Sequence, residues 1–274
     1  MSAKRALLWM TFWICLALCF DAGIFLIAGK EKALEFLGGY VIEKSLSIDN
    51  LFLFLMVFSS FGIRLKQQRR ILNCGIILAI VLRLVFILFG VTILNRFHWV
   101  LYLFGVILIF SGIKMVFRND ESADFKDSAI IRALRKIMPV TDHLQGEKFF
   151  VMRQKIVYAT PLFAILLIIE FSDILFAIDS IPAIFSITTD VFIVYTSNIF
   201  AILGLRSMYF FLCKLQSKFR YVKYGVAMIL TFTGFKLLML KFDIGFSIEA
   251  SLAVITFILL GSIALSLIFS MSRV

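Results

Sequence analysis

Apolar residues run through most of this chain in long blocks, separated by short polar stretches. A helix needs about 20 predominantly apolar residues to cross the hydrocarbon core of a bilayer. Eight blocks reach that length: 9–29, 36–61, 72–94, 98–117, 157–186, 191–212, 222–240 and 250–270. They predict an all-α, polytopic membrane bundle of about eight transmembrane helices. One long polar stretch, 118–156, mixes both signs of charge. It reads as a cytoplasmic linker, with a short amphipathic helix around Ala129–Met138. The first block follows Lys4 and Arg5 in the manner of a signal peptide. It is long, however, and lacks a small-residue cleavage site, so it is read as a span.

The polar residues inside the blocks repeat. Glu43-Lys-Ser-Leu-Ser-Ile-Asp49-Asn50 and Asp173-Ile-Leu-Phe-Ala-Ile-Asp179-Ser180 both read acid, four residues, Ile-Asp, then a small polar residue, at an offset of 130. Arg83 in the third block answers Arg206 in the sixth, at 123. Ser111-Gly112-Ile113-Lys114 answers Thr233-Gly234-Phe235-Lys236, at 122. Three consecutive helices thus match in order. The expected division is a first half over 36–117, the linker 118–156, a second half over 157–240, and flanking helices at 9–29 and 250–270. The halves start three spans apart, an odd number, so they are expected to be inverted in the membrane. Inverted repeats with a site near the midplane are a transporter signature; the alternative is a duplicated bundle with no transport role.

Composition agrees with a membrane solvent. The chain is 62% hydrophobic and 16% charged, against roughly half apolar and a quarter charged in soluble domains. Its net charge of +11 would suggest nucleic acid in a soluble protein. Here 19 of the 28 Lys and Arg fall on one side of the predicted spans and four on the other. That asymmetry is the positive-inside pattern and predicts cytoplasmic termini. Neither an aromatic-basic single-strand platform nor zinc-finger spacing is visible, so nucleic acid is not expected as a partner. Cys15, Cys19, Cys74 and Cys213 form no CxxC pair and read as small apolar residues.

The candidate chemistry lies in the charges within the spans: Asp21, Glu43, Asp49, Glu170, Asp173 and Asp179, with Lys44, Arg83, Lys114, Arg206 and Lys236. A charge at the bilayer centre costs about 3 kcal/mol or more, which makes such residues functional candidates. Two readings fit: the acids receive a cation, or they are neutralised by the arginines as structural glue. Acids six apart point about 120° away from one another and lie about 9 Å apart along the axis. Glu43 and Asp49 therefore do not share one small cation on an unbroken helix, nor do Asp173 and Asp179. Either the helices break, or each half donates acids to a shared site. Pro182 leaves the Ile178 carbonyl without its helical donor, so that oxygen is either a ligand or merely sits at a kink. Glu170 and Asp173, three apart, share a face. Asn50 and Asn198 offer amide oxygens, and Ser45, Ser47, Ser172 and Ser180 offer hydroxyls. Such an all-oxygen set suits a hard cation such as Mn²⁺, Mg²⁺ or Ca²⁺; protons are the other candidate. His98, beside Trp99, reads as interfacial, and His143 as solvated. Asp21 stands outside the repeat, and Lys44 is expected to snorkel or pair locally.

At these residues the chain resembles the TerC family, which includes the Alx proteins. The resemblance rests on Glu43-Lys-Ser-Leu-Ser-Ile-Asp49-Asn50-Leu-Phe, on Phe176-Ala-Ile-Asp179-Ser-Ile-Pro182-Ala and on Thr196-Ser-Asn198 through Arg206. Arg96-Phe-His98-Trp99 and Ser111-Gly112-Ile113-Lys114 agree as well. It implies a bacterial inner-membrane protein akin to the LysE-type transporters, linked to manganese export and to tellurium resistance. It also implies that some relatives supply metal to secreted enzymes beside the protein-export machinery. The acidic motif positions fall on Glu43, Asp49, Asp173 and Asp179, beside Asn50 and Asn198. Many relatives carry an extra helix before 9–29; without it this N-terminus is expected inside.

The function expected is export of a divalent metal cation, Mn²⁺ first, with no prosthetic group. Glu43, Asp49, Asn50, Glu170, Asp173, Asp179 and Asn198 are the expected metal-binding residues; Arg83, Arg206, Lys114 and Lys236 balance charge. The alternative is a non-transporting membrane partner for metal loading or envelope stress, docking through 118–156. No enzyme is expected: there is no intramembrane Ser-His pair, HExxH or glycine-rich phosphate loop.

Overall fold

The structure, a computed structural model, describes residues 3–97, 99–117, 129–141, 143–153, 155–213, 222–242 and 246–271. His98 and residues 118–128 of the linker lie outside them, as does the side chain of Asp49. The helices are α1 (Ala3–Ala28), α2 (Lys30–Ser60), α3 (Leu65–Arg96), α4 (Val100–Phe117) and α5 (Ala129–Ile137). After the strands β1 (Phe150–Arg153) and β2 (Ile156–Ala159) come α6 (Pro161–Phe185), α7 (Val191–Leu203), α8 (Leu205–Leu212), α9 (Val222–Met239) and α10 (Ile248–Met271). The protein is an all-α polytopic bundle. Seven helical stretches among the described residues are long and apolar enough to cross a membrane. α2 is the expected eighth. It is 31 residues long but carries Glu43, Lys44 and Asp49 in its middle, which sets it apart by composition.

Local chemistry explains the boundaries. α2 ends in a Schellman turn: Gly62 takes φ +59, Ile63 N–H donates to the Phe58 carbonyl (3.0 Å) and Gly62 N–H to Ser59 (3.1 Å). Glycine reaches that left-handed conformation without a Cβ clash. At α3, Arg64 N–H donates to the Gln67 side chain (3.0 Å). α7 starts at Asp190, whose carboxylate accepts from the amides of Phe192 (3.0 Å) and Ile193 (3.4 Å), satisfying donors that every helix start leaves free.

The structure corrects the start of one expected span. The block 157–186 does not begin as helix. Pro161 takes the first position of α6 and forces Thr160 into an extended conformation (φ −94, ψ 162), since a residue before proline avoids the helical region. Residues before it instead form β2, paired antiparallel with β1. The block 191–212 stands as one 22-residue stretch able to cross a membrane, interrupted only at Gly204, between α7 and α8. The short amphipathic helix expected around Ala129–Met138 is α5; it buries Ile131 and Leu134.

Alongside a third, smaller apolar cluster that joins α1, α2 and α7, two large ones divide most of the bundle. One contains Leu51 and Phe54 of α2, Ile71 and Leu72 of α3, Ile165 and Ile169 of α6, and Ile202 and Leu205 across the α7–α8 break. The other contains Ile42 and Leu46 of α2, Ile87 and Val91 of α3, Ala177 and Ile181 of α6, Val194 of α7, and residues of α4 and α9. α2 and α6 therefore traverse the clusters in opposite senses. α2 packs on α7, α3 on α6, and α4 on α9. The last pair approaches closely because both sides present glycine: a Cβ on Gly105 would lie 2.9 Å from the Gly234 carbonyl oxygen, and one on Gly234 would lie 2.7 Å from that of Gly105.

Candidate functional site

The seam between the two clusters is polar on every helix that crosses it. Asn50 follows Ile48 on α2, Glu170 and Asp173 lie between Ile169 and Ala177 on α6, Arg83 precedes Ile87 on α3, and Asn198 follows Val194 on α7. Each of these side chains is buried, as is Glu43 about two turns before Asn50.

Arg83 is the centre of this layer. Its side chain is 1% exposed; Nη1 lies 2.6 Å from Glu43 Oε2, and Nη2 lies 3.6 Å from Asp173 Oδ1. Nη1 also donates to Asn198 Oδ1 and, at 3.5 Å, to Ser180 Oγ. Glu43 Oε2 meets Arg83 as an ion pair, and among the described residues Arg83 Nε and Nη2 have no hydrogen-bond partner. Ser47 donates to the other Glu43 oxygen (3.2 Å). Asn50 Nδ2 donates to Asp173 Oδ1 (3.4 Å), which leaves Asn50 Oδ1 without a donor. Asn198 is oriented by its own amide, which donates to the Val194 carbonyl (2.8 Å). Acids from the two halves, 130 residues apart, thus meet across one arginine.

The remaining candidates lie around this centre. Glu170 is buried, and its Oε2 has no partner among the described residues. It lines a narrow cleft with Gly75, Ala79, Asp173, Leu205 and Arg206. Arg206 is exposed at this cleft and donates to Asn73 Oδ1 (2.6 Å). Asp179 is half-buried and accepts from Ser111 Oγ (2.9 Å), within electrostatic reach of the exposed Lys114. It does not join Glu43 and Asp173. Lys236 is buried on α9. Ser45 and Ser172 donate to carbonyls of their own helices. α2 and α6 run unbroken past their acids and past Pro182, so the shared arrangement holds for Glu43 and Asp173, not the broken helix. Among the described residues, no three His, Cys, Asp or Glu side chains stand together as a metal cluster.

Two arrangements have no counterpart in the sequence reading. Lys44 lies over the ring of Tyr40 on its own helix, the expected local contact, but its Nζ also donates to the Ala201 carbonyl on α7 (2.8 Å). Near the α1–α2 turn, Lys32 bridges Glu35 (2.8 Å) and Asp190 (3.0 Å), and Thr188 donates to Glu35 (2.7 Å). The hydrogen bond to Glu35 raises the Lys32 ammonium above its usual value, against the pull of burial, with Asp190 adding to it. Burial works to raise the Asp190 carboxyl, but Lys32 and the Ile193 and Phe192 amides outweigh it and hold the group low. The N-cap position of Asp190 was the available signal.

Fold and site together define a multi-pass membrane protein with a buried layer of opposed charges. Residues 28–273 match the integral membrane protein TerC family, and the chain belongs to that family. It is 46% identical over 267 residues to "Uncharacterized membrane protein STKORF319" of Myxococcus xanthus, covering 97% of this chain and 83% of that protein. It is 45% identical over 250 residues to the protein of Escherichia coli K12 named "Putative membrane-bound redox modulator Alx", covering 88% and 78%. A membrane protein of Rickettsia bellii is 43% identical over 265 residues, covering 96% and 87%. No solved structure matches the chain.

Proposed function

We propose that the protein exports a hard divalent cation, Mn²⁺ foremost, across the bacterial inner membrane. The observation that carries this reading is a pair of buried oxygens with no donor among the described residues, Asn50 Oδ1 and Glu170 Oε2, beside a Glu43 Oε2 that meets only the Arg83 guanidinium. A buried oxygen without a donor is costly unless a cation or proton answers it. The ligands on offer are carboxylate, amide and hydroxyl oxygens, which suit a hard ion.

In this reading the ion and Arg83 compete for Glu43 and Asp173. An entering divalent charge neutralises both carboxylates, and Arg83 shifts onto Asn198 and Ser180, which it already contacts. Glu170 faces the ion from the cleft; Asp49 and Asp179 take it further along α2 and α6, while Arg206, Lys114 and Lys236 balance charge. Alternating access of two inverted halves is supported by the opposite course of α2 and α6 through the clusters, and by the exchange in which α2 packs on α7 as α3 packs on α6. Cytoplasmic termini are supported by the Lys and Arg asymmetry.

The test is Mn²⁺ entry into proteoliposomes loaded with a metal-quenched dye. Wild type is expected to carry Mn²⁺, with Glu43→Gln and Asp173→Asn each abolishing the flux. Equal flux in wild type and both variants rejects the reading.

A further inference from the structure

Lys44 follows Glu43 on α2, yet its ammonium serves a different contact. Nζ donates to the Ala201 carbonyl at 2.8 Å and lies 5.6 Å from the centre of the Tyr40 ring. Ala201 is in the last turn of α7, where carbonyls lack intrahelical donors. A cation there also meets the negative end of the helix dipole.

The helix breaks three residues later at Gly204, whose backbone (φ −79, ψ −13) any residue adopts. Glycine is needed there for room. A Cβ would fall 2.5 Å from Lys44 Nζ and 3.6 Å from Trp13 Cβ on α1. Because Nζ ends a flexible chain, a methyl group at 204 is accommodated by moving the ammonium off the carbonyl.

The break separates two residues that meet different parts of the site. Asn198, on α7, accepts from Arg83. Arg206, on α8, stands at the Glu170 cleft and holds Asn73 of α3.

We propose that Lys44 is a positioning residue: its ammonium clamps the α7–α8 break over Gly204 and so sets Arg206 at the cleft relative to Asn198 in the charge layer. Its consequence for flux rests on the transport reading; the clamp itself does not. Two adjacent residues of α2 then divide the work, Glu43 holding Arg83 and Lys44 holding the α7–α8 junction.

The experiment is a cycle of Lys44→Met, Gly204→Ala and the double variant, read by thermal melting of the purified full chain and by Mn²⁺ flux. Methionine is one atom too short to reach the carbonyl. Each single variant is expected to lower the melting temperature, with the double variant matching Lys44→Met, because both changes remove the same hydrogen bond. Additive shifts overturn the clamp. In flux, Lys44→Met is expected to lower the maximal rate about tenfold, the loss of one charge-assisted hydrogen bond, with the half-saturating Mn²⁺ concentration unchanged. A raised half-saturation at full maximal rate overturns the positioning role. If wild type carries no Mn²⁺, the transport reading fails, and the melting cycle alone decides the clamp.

Discussion

Replacing Arg83 with methionine isolates the energetics of the charge layer. Arg83 is 1% exposed and faces Glu43 at 2.6 Å and Asp173 at 3.6 Å. At an effective dielectric near 20, these distances correspond to gross attractions of about 6 and about 5 kcal/mol. Desolvation of three ions cancels much of that, so the cation contributes little net stability. Removing it alone is another matter, because two carboxylates are left buried and unpaired. Breaking a buried pair from one side typically costs about 3–5 kcal/mol, a fall in melting temperature on the order of 10 °C. Neutralising all three together (Glu43→Gln, Asp173→Asn, Arg83→Met) is expected to recover most of the loss. The assay is thermal unfolding of the three proteins, wild type, Arg83→Met and the triple variant, in one detergent. An Arg83→Met variant melting within about 2 °C of wild type refutes the reasoning, as does a triple variant no more stable than Arg83→Met.

Gly234→Leu should drive a side chain into the Gly105 carbonyl and Ile109 on α4; an overpacking cost of about 1–3 kcal/mol is expected, read as lowered melting temperature. Asp190→Ala should cost about 1 kcal/mol through the lost cap of α7, plus a few tenths from the half-exposed Lys32 pair. That difference should be pH-dependent at both ends. The depressed Asp190 carboxyl stabilises above its unfolded value of about 3.9 and loses that contribution as pH falls through its folded value. The raised Lys32 stabilises below about 10.5 and loses it as pH rises through its folded value. Melting of wild type and Asp190→Ala across pH should therefore converge in acid, and a constant gap contradicts the assignment.

The all-α architecture was legible because block length and composition both report on the bilayer. The hairpin was not: Ile156–Ala159 is as apolar as the span it precedes, and only Pro161 marks where helix can begin. The break at Gly204 lacked a clear local signal, since its backbone stays near-helical and the atom a side chain there would meet belongs to Lys44, 160 residues away. The six-residue spacing correctly separated acids on one helix. It could not tell that Glu43 and Asp173 meet while Asp179 turns to Ser111, because the pairing depends on how α3 inserts Arg83 between α2, α6 and α7. Arg206 occupies the matching repeat position to Arg83 but opens onto a cleft, where Asn73 rather than a carboxylate accepts from it.

The central claim is that a divalent ion and Arg83 compete for Glu43 and Asp173. Its most direct test is Mn²⁺ binding to the purified protein, followed by the electron paramagnetic resonance signal of free Mn²⁺. Wild type should withdraw Mn²⁺ from solution, Arg83→Met should bind it more tightly, and the Glu43→Gln, Asp173→Asn double variant should bind none. Equal uptake by wild type and the double variant contradicts the account.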